Sequence, residues 1–208
     1  MNQEAMWTTR YRDAGEHYLF GIEPNRFLAH RAALLESGRR ALAVADGEGR
    51  NSVWLAEQGL DVTAIEISSV AVDKARRLAA ARKVQVRFIE ADMLAVDWPP
   101  PPFDQAFDWV IGSFIQFVGA EDRSRQLATM KRLTRSGGRI LLKGYTPKQL
   151  DYRTGGPSSL ENLYTPDTLR AAFADWEIEE LVEYEDEIAE GSGHHGRSAL
   201  IGLVARKP

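Results

Sequence analysis

The stretch that decides the fold class is Ala41-Leu42-Ala43-Val44-Ala45-Asp46-Gly47-Glu48-Gly49. It opens with a short, continuous apolar run, which is typical of a strand that is buried on both faces. The glycines that follow allow a tight turn, and a helical pattern begins directly after them at Arg50 and continues to about Gln58. We therefore predict a strand, a glycine turn and a helix in immediate succession.

The same alternation of strand and helix continues along the chain. A second apolar run ends at Glu66, and Ser68 or Ser69 can N-cap the helix that follows it. Further strands are predicted at 84–90, within 107–117 and at 139–143, and further helices at 69–82 and 121–133. Strands that alternate with helices need crossover connections, so the pattern predicts an α/β fold with an open, mostly parallel sheet and helices on both faces.

The two ends of the chain depart from this alternation. Near the N-terminus, Pro24 and Asn25 precede a helical pattern that ends at Gly38. Near the C-terminus, Thr165 and Pro166 begin a helix, and two strand-like runs at 176–188 and 198–205 follow it, joined by a loop at 190–196. These runs predict a terminal antiparallel strand pair. The acid-rich stretch Glu177–Glu190 is expected on the exposed side of a strand near a sheet edge, where charge discourages association.

Composition bounds the class of protein. The 208 residues include 26 Lys+Arg and 30 Asp+Glu, for a formal net charge of -4, and no cysteine. We expect one domain over 1–208, with 1–38 as an N-terminal lid and helix and 39–208 as the cofactor-binding core. The cysteine count excludes disulfides, thiolate metal sites and a cysteine nucleophile.

Charge and hydropathy also limit the partners. The basic residues are scattered, which argues against nucleic acid as a partner. No segment approaches the roughly 20 consecutive apolar residues that span a bilayer, so we expect a cytoplasmic protein with no membrane partner. Monomer and homodimer both stay open.

Three features suited to a ligand fall at successive predicted strand ends, where open α/β sheets bind ligands. The glycine turn 47–49 lets a ligand approach the backbone at the start of a helix. The carboxylate of Glu66 can accept hydrogen bonds from ribose hydroxyls, Asp92 can accept from an exocyclic amine, and Met93 can pack on a flat ring. The set predicts an adenosine-bearing cofactor. A dinucleotide is disfavoured because Ser52 stands where its fingerprint needs glycine or alanine.

These segments, with Phe107–Val110 and Ser136–Gly138, resemble the class I S-adenosylmethionine-dependent methyltransferases over essentially the whole chain. Within that family, the strings Gly47–Ala56 and Phe20–Asn25 are similar to the small bacterial tellurite-resistance and thiopurine S-methyltransferase subgroup. The resemblance implies a Rossmann-like sheet of seven strands that ends in an antiparallel pair. It also implies S-adenosyl-L-methionine as the cofactor and S-adenosyl-L-homocysteine as the product.

The resemblance further implies which residues bind the cofactor. Relatives usually carry an acid inside the first strand that helps to hold the cofactor's ammonium group, whereas this chain has Ala43 there. Asp46 is expected either to replace that charge from a shifted position or to leave the affinity weakened. The expected cofactor-binding residues are Asp46, Gly47, Gly49, Asn51, Glu66, Ile67, Ala91, Asp92, Met93 and Ser113.

The methyl acceptor is expected to be a small molecule. Relatives often place histidine where this chain has Gln116, so a general base is absent at that position. A soft nucleophile, such as a thiol or a chalcogen anion, needs no strong base, and direct in-line methyl transfer to it is the predicted reaction. The pocket candidates are Ser113, Phe114, Gln116, Tyr18 and Tyr145. The residues of the expected lid are Trp7, Tyr11, Tyr18, Phe20 and Asn25, and packing of an N-terminal helix without ligand contact explains them equally well.

Other functions stay open at this point. The missing acid at Ala43 is compatible with a non-catalytic regulator that binds S-adenosylmethionine or a nucleotide, and a methyltransferase of a protein or RNA substrate is a further alternative. His194 and His195 are adjacent on an extended chain and point to opposite sides, so no metal site is predicted. They are expected in a hairpin loop, with a place for one of them at the substrate rim as the alternative.

Overall fold

The computed structural model describes residues 3–95 and 106–208. The strands, in chain order, are β1 (Arg40–Val44), β2 (Asp61–Glu66), β3 (Arg87–Glu90), β4 (Phe107–Ser113), β5 (Thr134–Tyr145), β6 (Glu177–Glu190) and β7 (His194–Arg206). The helices are α1 (Gln3–Asp13), α2 (Arg26–Ala29), α3 (Arg50–Glu57), α4 (Ser69–Arg82), α5 (Ala120–Leu133), α6 (Gln149–Tyr152) and α7 (Pro166–Ala172), with 3₁₀ turns at Ala32–Leu34 and Leu160–Asn162.

The strands form a seven-stranded sheet in the order β3-β2-β1-β4-β5-β7-β6. The pairs β1–β2, β2–β3 and β4–β5 are parallel, whereas β7 runs antiparallel to β5. The predicted fold class, a mostly parallel sheet with a C-terminal antiparallel arrangement, is confirmed. Within the described residues, no helix is long and apolar enough to cross a membrane.

The chain divides into two compact units, Met1–Trp98 with Glu190–Gly193 and Pro99–Ala189 with His194–Pro208. In the first unit, β1 is buried along almost its whole length, as its continuous apolar run predicts. The register places Val44 opposite Ile65 and Glu66 opposite Glu90, so the carboxyl ends of β1, β2 and β3 lie at one edge. The residues that follow these strands are therefore brought together.

In the second unit, β4 and β5 pair with Ser113 opposite Lys143, and β5 pairs with β7 up to Tyr145 opposite Leu200. The residues after β4 therefore lie beside the end of β5. The acid-rich strand β6 stands last in the strand order, and its side chains at Glu177 and Glu179 are exposed. Its place at the sheet edge agrees with the expectation from its charge.

Helix α4 begins where the sequence predicts it. Ser68 is the N-cap, and its hydroxyl accepts a hydrogen bond from the backbone N–H of Ala71. Helix α3 packs closely on α4 at Gly49, because a Cβ at this position would lie 2.7 Å from the Cβ of Ala75. Gly49 also has a left-handed backbone, with φ of 91°. The glycine thus serves close helix packing as well as the turn.

The predicted helix at 25–38 is wrong as a single element. The structure has the short helix α2 and a separate 3₁₀ turn, with Asn25 as the N-cap of α2. The apolar residues that suggested one buried face do not share it, since Phe27 and Leu28 are buried whereas Leu34 is 44% exposed. The Arg31 guanidinium also folds back onto the Phe27 ring, at 3.3 Å from its centroid.

The predicted loop at 190–196 is also wrong in its bounds. Strand β6 continues to Glu190 and β7 begins at His194, so three residues join them rather than seven. Gly191, with φ of 63°, permits the tighter turn, and the backbone N–H of Gly193 donates to the Leu19 carbonyl at 2.8 Å. The N-terminal segment thus holds the turn in place, and the sequence of the turn alone does not reveal this contact.

Candidate functional site

Asp46 and the glycine turn form the first part of the candidate site. Gly47 and Gly49 both adopt left-handed backbone conformations, with φ of 64° and 91°. The Asp46 carboxylate accepts hydrogen bonds from the hydroxyl of Ser52 at 2.5 Å and from its backbone N–H at 3.3 Å. Burial raises the pKa of Asp46 to about 6, although both hydrogen bonds from Ser52 lower it. Asp46 is thus held just before α3 as a partly buried carboxylate.

Glu66, at the end of β2, connects two neighbouring segments. Its carboxylate accepts from the backbone N–H of Gly47 at 2.9 Å and from that of Ser68 at 3.0 Å. Burial raises the pKa of Glu66 to about 7, against the lowering effect of these hydrogen bonds. The charged forms of Asp46 and Glu66 therefore lack full compensation, and a bound cation would be favoured beside them.

A cavity of about 410 Å³ lies at the carboxyl ends of β2 and β3. Three of the predicted cofactor residues line it, namely Ile67, Ala91 and Asp92, and its volume is in the range of small-molecule sites. Met93 is buried, and Asp92 accepts a hydrogen bond from the backbone N–H of Leu94 at 2.8 Å. The cavity and the two carboxylates thus lie at the ends of neighbouring strands.

The cavity has further lining residues that sequence reasoning missed. Gln3 and Glu4, in the first turn of α1, and Glu90, at the end of β3, complete it. The sequence offered one indication for Gln3 and Glu4, namely their position at the start of the expected lid. The lid therefore contributes polar side chains to the same cavity as the strand ends.

Asn51, predicted as a cofactor residue, contacts the N-terminal segment. Its side-chain oxygen accepts from the backbone N–H of Asn25 at 2.9 Å. The Asn25 amide in turn donates to Glu190 at 2.8 Å, and Glu190 forms an ion pair with Arg50 at 2.8 Å. These buried groups attach residues near α2 to the start of α3.

Glu48, between the two glycines, was not singled out from the sequence. It forms an ion pair with Lys74 of α4 at 2.5 Å, and both side chains are 2% exposed. Its other oxygen accepts from the backbone N–H of Leu19 at 2.6 Å. Glu48 therefore connects the glycine turn to both α4 and the lid.

The predicted lid residues pack on the glycine turn and on α4. The ring of Tyr11 stacks on Trp7 at 5.9 Å and meets Phe20 edge-on at 6.4 Å between centroids. The Tyr18 hydroxyl donates to the Lys74 carbonyl at 3.1 Å, so this pocket candidate is directed to α4. Burial, and then the charges of Glu66 and Glu48, raise the pKa of Tyr11 well above its usual value.

In the second unit, the predicted acceptor residues Ser113 and Tyr145 end β4 and β5, and Phe114 and Gln116 follow β4. Phe114 has φ of 57°, a strained backbone for a side chain of this size, and such strain is typical of functional positions. The Ser113 hydroxyl is buried and has no hydrogen-bond partner in the part of the chain that the structure describes. The region after β4 thus combines strain with an unpaired hydroxyl.

The Gln116 side chain is committed to the backbone of its neighbours. Its amide nitrogen donates to the carbonyls of Tyr145 at 2.9 Å and Asn162 at 3.1 Å, and its oxygen accepts from the Tyr145 N–H at 2.6 Å. It is therefore a structural residue that holds the end of β5.

His194 joins two of the acceptor candidates. Its ring lies 4.4 Å from that of Phe114 and 5.7 Å from that of Tyr145, and it is 8% exposed. His194 thus lies in a strand, and the expectation of a hairpin loop is wrong because β7 begins there. His195 is exposed, as its opposite direction predicts. Across residues 3–95 and 106–208, no group of three His, Cys, Asp or Glu side chains could hold a metal ion.

Comparisons with known proteins place this geometry in context. Residues 41–138 match the model of a methyltransferase domain. The demethylmenaquinone methyltransferase of Thermus thermophilus is 34% identical over 117 residues, which are 55% of this chain and 51% of that protein. A similar protein from Deinococcus radiodurans, also a demethylmenaquinone methyltransferase, is 33% identical over 59% of this chain and 49% of its own length. The chain spans about half the length of these curated relatives.

Solved structures share the fold at lower identity. A structure from work on the conversion of a disulfide bond into a thioacetal group during echinomycin biosynthesis superposes with a TM-score of 0.79 at 21% identity, over 99% of this chain and 92% of the other. TehB from Haemophilus influenzae superposes with a TM-score of 0.69 at 19% identity, over 88% of this chain and 63% of the other.

Proposed function

We propose that this chain is a class I S-adenosylmethionine-dependent methyltransferase that transfers the methyl group of S-adenosylmethionine to a small molecule, and the match of residues 41–138 to a methyltransferase domain supports this. The observation that carries the proposal is the row of features at the ends of β3, β2 and β1. The cavity with Asp92, the buried Glu66 and the glycine turn beside Asp46 follow one another in the strand order.

Each part of this row suits one part of the cofactor. Ile67, Ala91 and Met93 give the nucleobase apolar contacts, and Asp92 accepts from its exocyclic amine. Glu66 accepts from the ribose hydroxyls, and the cationic end lies near Asp46 and the glycine turn, where the buried carboxylates favour positive charge. The sulfonium supplies the activated methyl group, while the protein orients it and excludes water.

Isothermal titration tests this first step. The protein is titrated with S-adenosylmethionine and with S-adenosylhomocysteine, and binding of both is expected. Because the buried carboxylates favour a cation, the positively charged S-adenosylmethionine should bind more tightly above pH 7 than near pH 5. An absence of heat for both ligands at millimolar concentration would sink the cofactor assignment.

A soft nucleophile is the favoured acceptor. Gln116 uses its amide on the Tyr145 and Asn162 backbone and offers no base, and a thiolate or chalcogen anion already carries the attacking lone pair. In the transfer, the bond between the acceptor and the methyl carbon forms as the carbon–sulfur bond breaks, and the electron pair of that bond remains on sulfur. The acceptor, the methyl carbon and the leaving sulfur must be in line, so orientation is the main task of the protein.

An oxygen or carbon acceptor, such as a small phenol or quinol, is the second candidate. It is favoured by His194, whose imidazole lies against Phe114 and Tyr145 and could take a proton from a hydroxyl. The curated relatives named for demethylmenaquinone suggest the same class of acceptor.

Release of S-adenosylhomocysteine against a panel of acceptors decides between the two. The panel contains thiols, sulfide, selenide, tellurite, small phenols and a reduced quinone, each with the native protein and with His194→Gln. Activity with thiols that survives the substitution supports the soft acceptor, whereas activity with phenols that is lost with it supports the second candidate. Binding without release for any acceptor favours a regulator, and release that needs RNA or protein contradicts a small-molecule acceptor.

A further inference from the structure

Tyr11, in the last turns of α1, lies against the glycine turn. The side chain is 4% exposed, and a Cβ added to Gly47 would come within 2.8 Å of its hydroxyl oxygen. The absent side chain of Gly47 therefore leaves room for the hydroxyl of Tyr11. The sequence pattern placed Tyr11 only in a general cover, whereas the structure gives its hydroxyl a definite position.

The strand order assigns this position to one end of the proposed cofactor. The nucleobase cavity follows β3, the ribose acceptor Glu66 ends β2, and the glycine turn follows β1, and β2 lies between the other two strands. The amino-acid group is the part that remains for the glycine turn. A hydroxyl beside Gly47 is thus placed at that group, away from the nucleobase.

We propose that Tyr11 is a cofactor-contacting residue whose hydroxyl donates a hydrogen bond to the carboxylate of the cofactor's amino-acid group, and that the buried Glu48–Lys74 pair positions it. The proposal rests on the proposed function, because it needs S-adenosylmethionine or S-adenosylhomocysteine in the first unit. It adds to that function a residue that contacts the cofactor's amino-acid group and a pair of residues that positions this contact.

The surroundings of Tyr11 keep its hydroxyl protonated. Burial and the carboxylates of Glu66 and Glu48 raise the pKa of Tyr11, so the phenol keeps its proton at neutral pH. A protonated phenol can donate to a carboxylate, and the bond is stronger than one between two neutral groups. The cofactor's ammonium group is then left to Asp46, the partly buried carboxylate next to Gly47 in the chain.

Lys74 connects Tyr11 with the glycine turn. Its ammonium group donates to the backbone carbonyl of Tyr11 at 3.4 Å and to that of His17 at 2.6 Å, and it pairs with Glu48 at 2.5 Å. Glu48 also accepts from the backbone N–H of Leu19 at 2.6 Å. The backbone of the segment from Tyr11 to Leu19 is thus bound, through Lys74 and Glu48, to the glycine turn. A buried pair of this kind holds geometry, because neither charge is tolerated there alone.

Binding of two product-like ligands tests the contact. S-adenosylhomocysteine carries the amino-acid group and 5′-methylthioadenosine lacks it, and both are titrated calorimetrically into the 208-residue protein. Tyr11→Phe is expected to weaken S-adenosylhomocysteine about 10-fold, because a charge-assisted hydrogen bond is lost. It should change the affinity for 5′-methylthioadenosine by less than about twofold. Tyr164→Phe, which removes a buried hydroxyl from the second unit, is the matched control and should change neither affinity.

Each other outcome of this titration has a defined meaning. Unchanged S-adenosylhomocysteine affinity in Tyr11→Phe, or an equal loss for both ligands, overturns the proposed contact. If the unsubstituted protein binds neither ligand, the proposed function itself is overturned. This outcome is distinguishable from a wrong assignment of Tyr11, because it is measured without any substitution.

A double-mutant comparison tests the positioning pair. Glu48→Gln with Lys74→Met removes both charges and nearly keeps the volumes, and it should weaken S-adenosylhomocysteine about fivefold when Tyr11 is present. In a Tyr11→Phe background the same change should add almost nothing, since the contact that it positions is already gone. An equal loss in both backgrounds would mean that the pair is merely structural. Glu48→Asp, which keeps the charge but shortens the side chain, repeats the comparison in a variant that is less disruptive to folding.

Discussion

The strand ends of the two units carry different kinds of chemical group. In the first unit, the ends of β1, β2 and β3 carry backbone turns and buried carboxylates, with Glu66 bound to two backbone N–H groups. In the second unit, the ends of β4 and β5 carry Phe114, Tyr145 and the histidine that packs on them. The first arrangement suits a ligand of fixed polar pattern, and the second suits an acceptor that is recognised by shape.

The largest expected effect concerns the backbone of the first unit. Gly49→Ala places a Cβ 2.7 Å from the Cβ of Ala75 at a φ of 91°, so both overlap and strain oppose folding. We expect the unfolding free energy to fall by about 3 kcal/mol or more in urea denaturation. Gly38→Ala is the control, because φ is 81° there and nothing lies within 4 Å of the added Cβ, so about 1 kcal/mol of strain alone is expected. Equal losses for the two variants would show that close packing of α3 on α4 is unimportant.

The next effect tests the side-chain network of the second unit. Gln116→Glu removes the amide donor from the buried carbonyls of Tyr145 and Asn162. We expect a loss of about 2–3 kcal/mol in unfolding free energy, measured by urea denaturation at pH 7.5, because the carbonyls lose their donor and a carboxylate is buried. Gln58→Glu, at an exposed position, should leave stability nearly unchanged. A stable Gln116→Glu protein would contradict the structural role given to this side chain.

The third prediction concerns pH and the buried carboxylates. The pKa values of Asp46 and Glu66 are raised, to about 6 and about 7. The folded protein therefore binds more protons than the unfolded chain between about pH 4 and pH 7, so the stability of the cofactor-free protein falls as pH rises through that window.

For Glu66 the fall should be about 2 kcal/mol between pH 5 and pH 7. It is measured as the difference between urea denaturation series of the native protein and of Glu66→Gln, which cannot titrate. If the stability of the two proteins changed with pH in the same way, the raised pKa of Glu66 would be contradicted.

The smallest effect concerns ligand affinity. Glu66→Ala removes the proposed ribose acceptor, and we expect S-adenosylhomocysteine to bind about tenfold more weakly by calorimetry, or about 1.5 kcal/mol. Glu36→Ala is the control, since Glu36 lies on the surface in an ion pair with Arg39. An unaltered affinity in Glu66→Ala would move the ribose away from the end of β2 and weaken the contrast between the two units.

Local sequence predicted the first unit's strand ends better than the second's. Glu66 ends β2, and Gly47 and Asp92 lie within three residues of the ends of β1 and β3, so their positions come from the pattern of one short segment. Lys74 and Glu48 are 26 positions apart, and Asn25 and Glu190 are 165 apart. No local pattern pairs such residues, and their contacts became visible only in the folded chain.

The same contrast explains the errors in the N-terminal and C-terminal regions. The spacing of apolar residues suggested one helix that ends at Gly38, but the Leu34 side chain is exposed in the structure. The glycines around 190–196 suggested a long loop, whereas contact of Gly193 with Leu19 supports a tight turn. At 190–193 the deciding contact comes from a distant part of the chain.

By itself, the sequence determined the alternation of strands and helices, the glycine turn after β1 and the resemblance to a methyltransferase domain. These depend on hydrophobic periodicity and on residues adjacent to strand ends, which act over a few positions. The tertiary structure alone decided the buried Glu48–Lys74 pair, the place of Tyr11 over Gly47 and the packing of His194 on Phe114. Such arrangements depend on which surfaces meet after folding, because desolvation and hydrogen bonding act through space between residues that are remote in the chain.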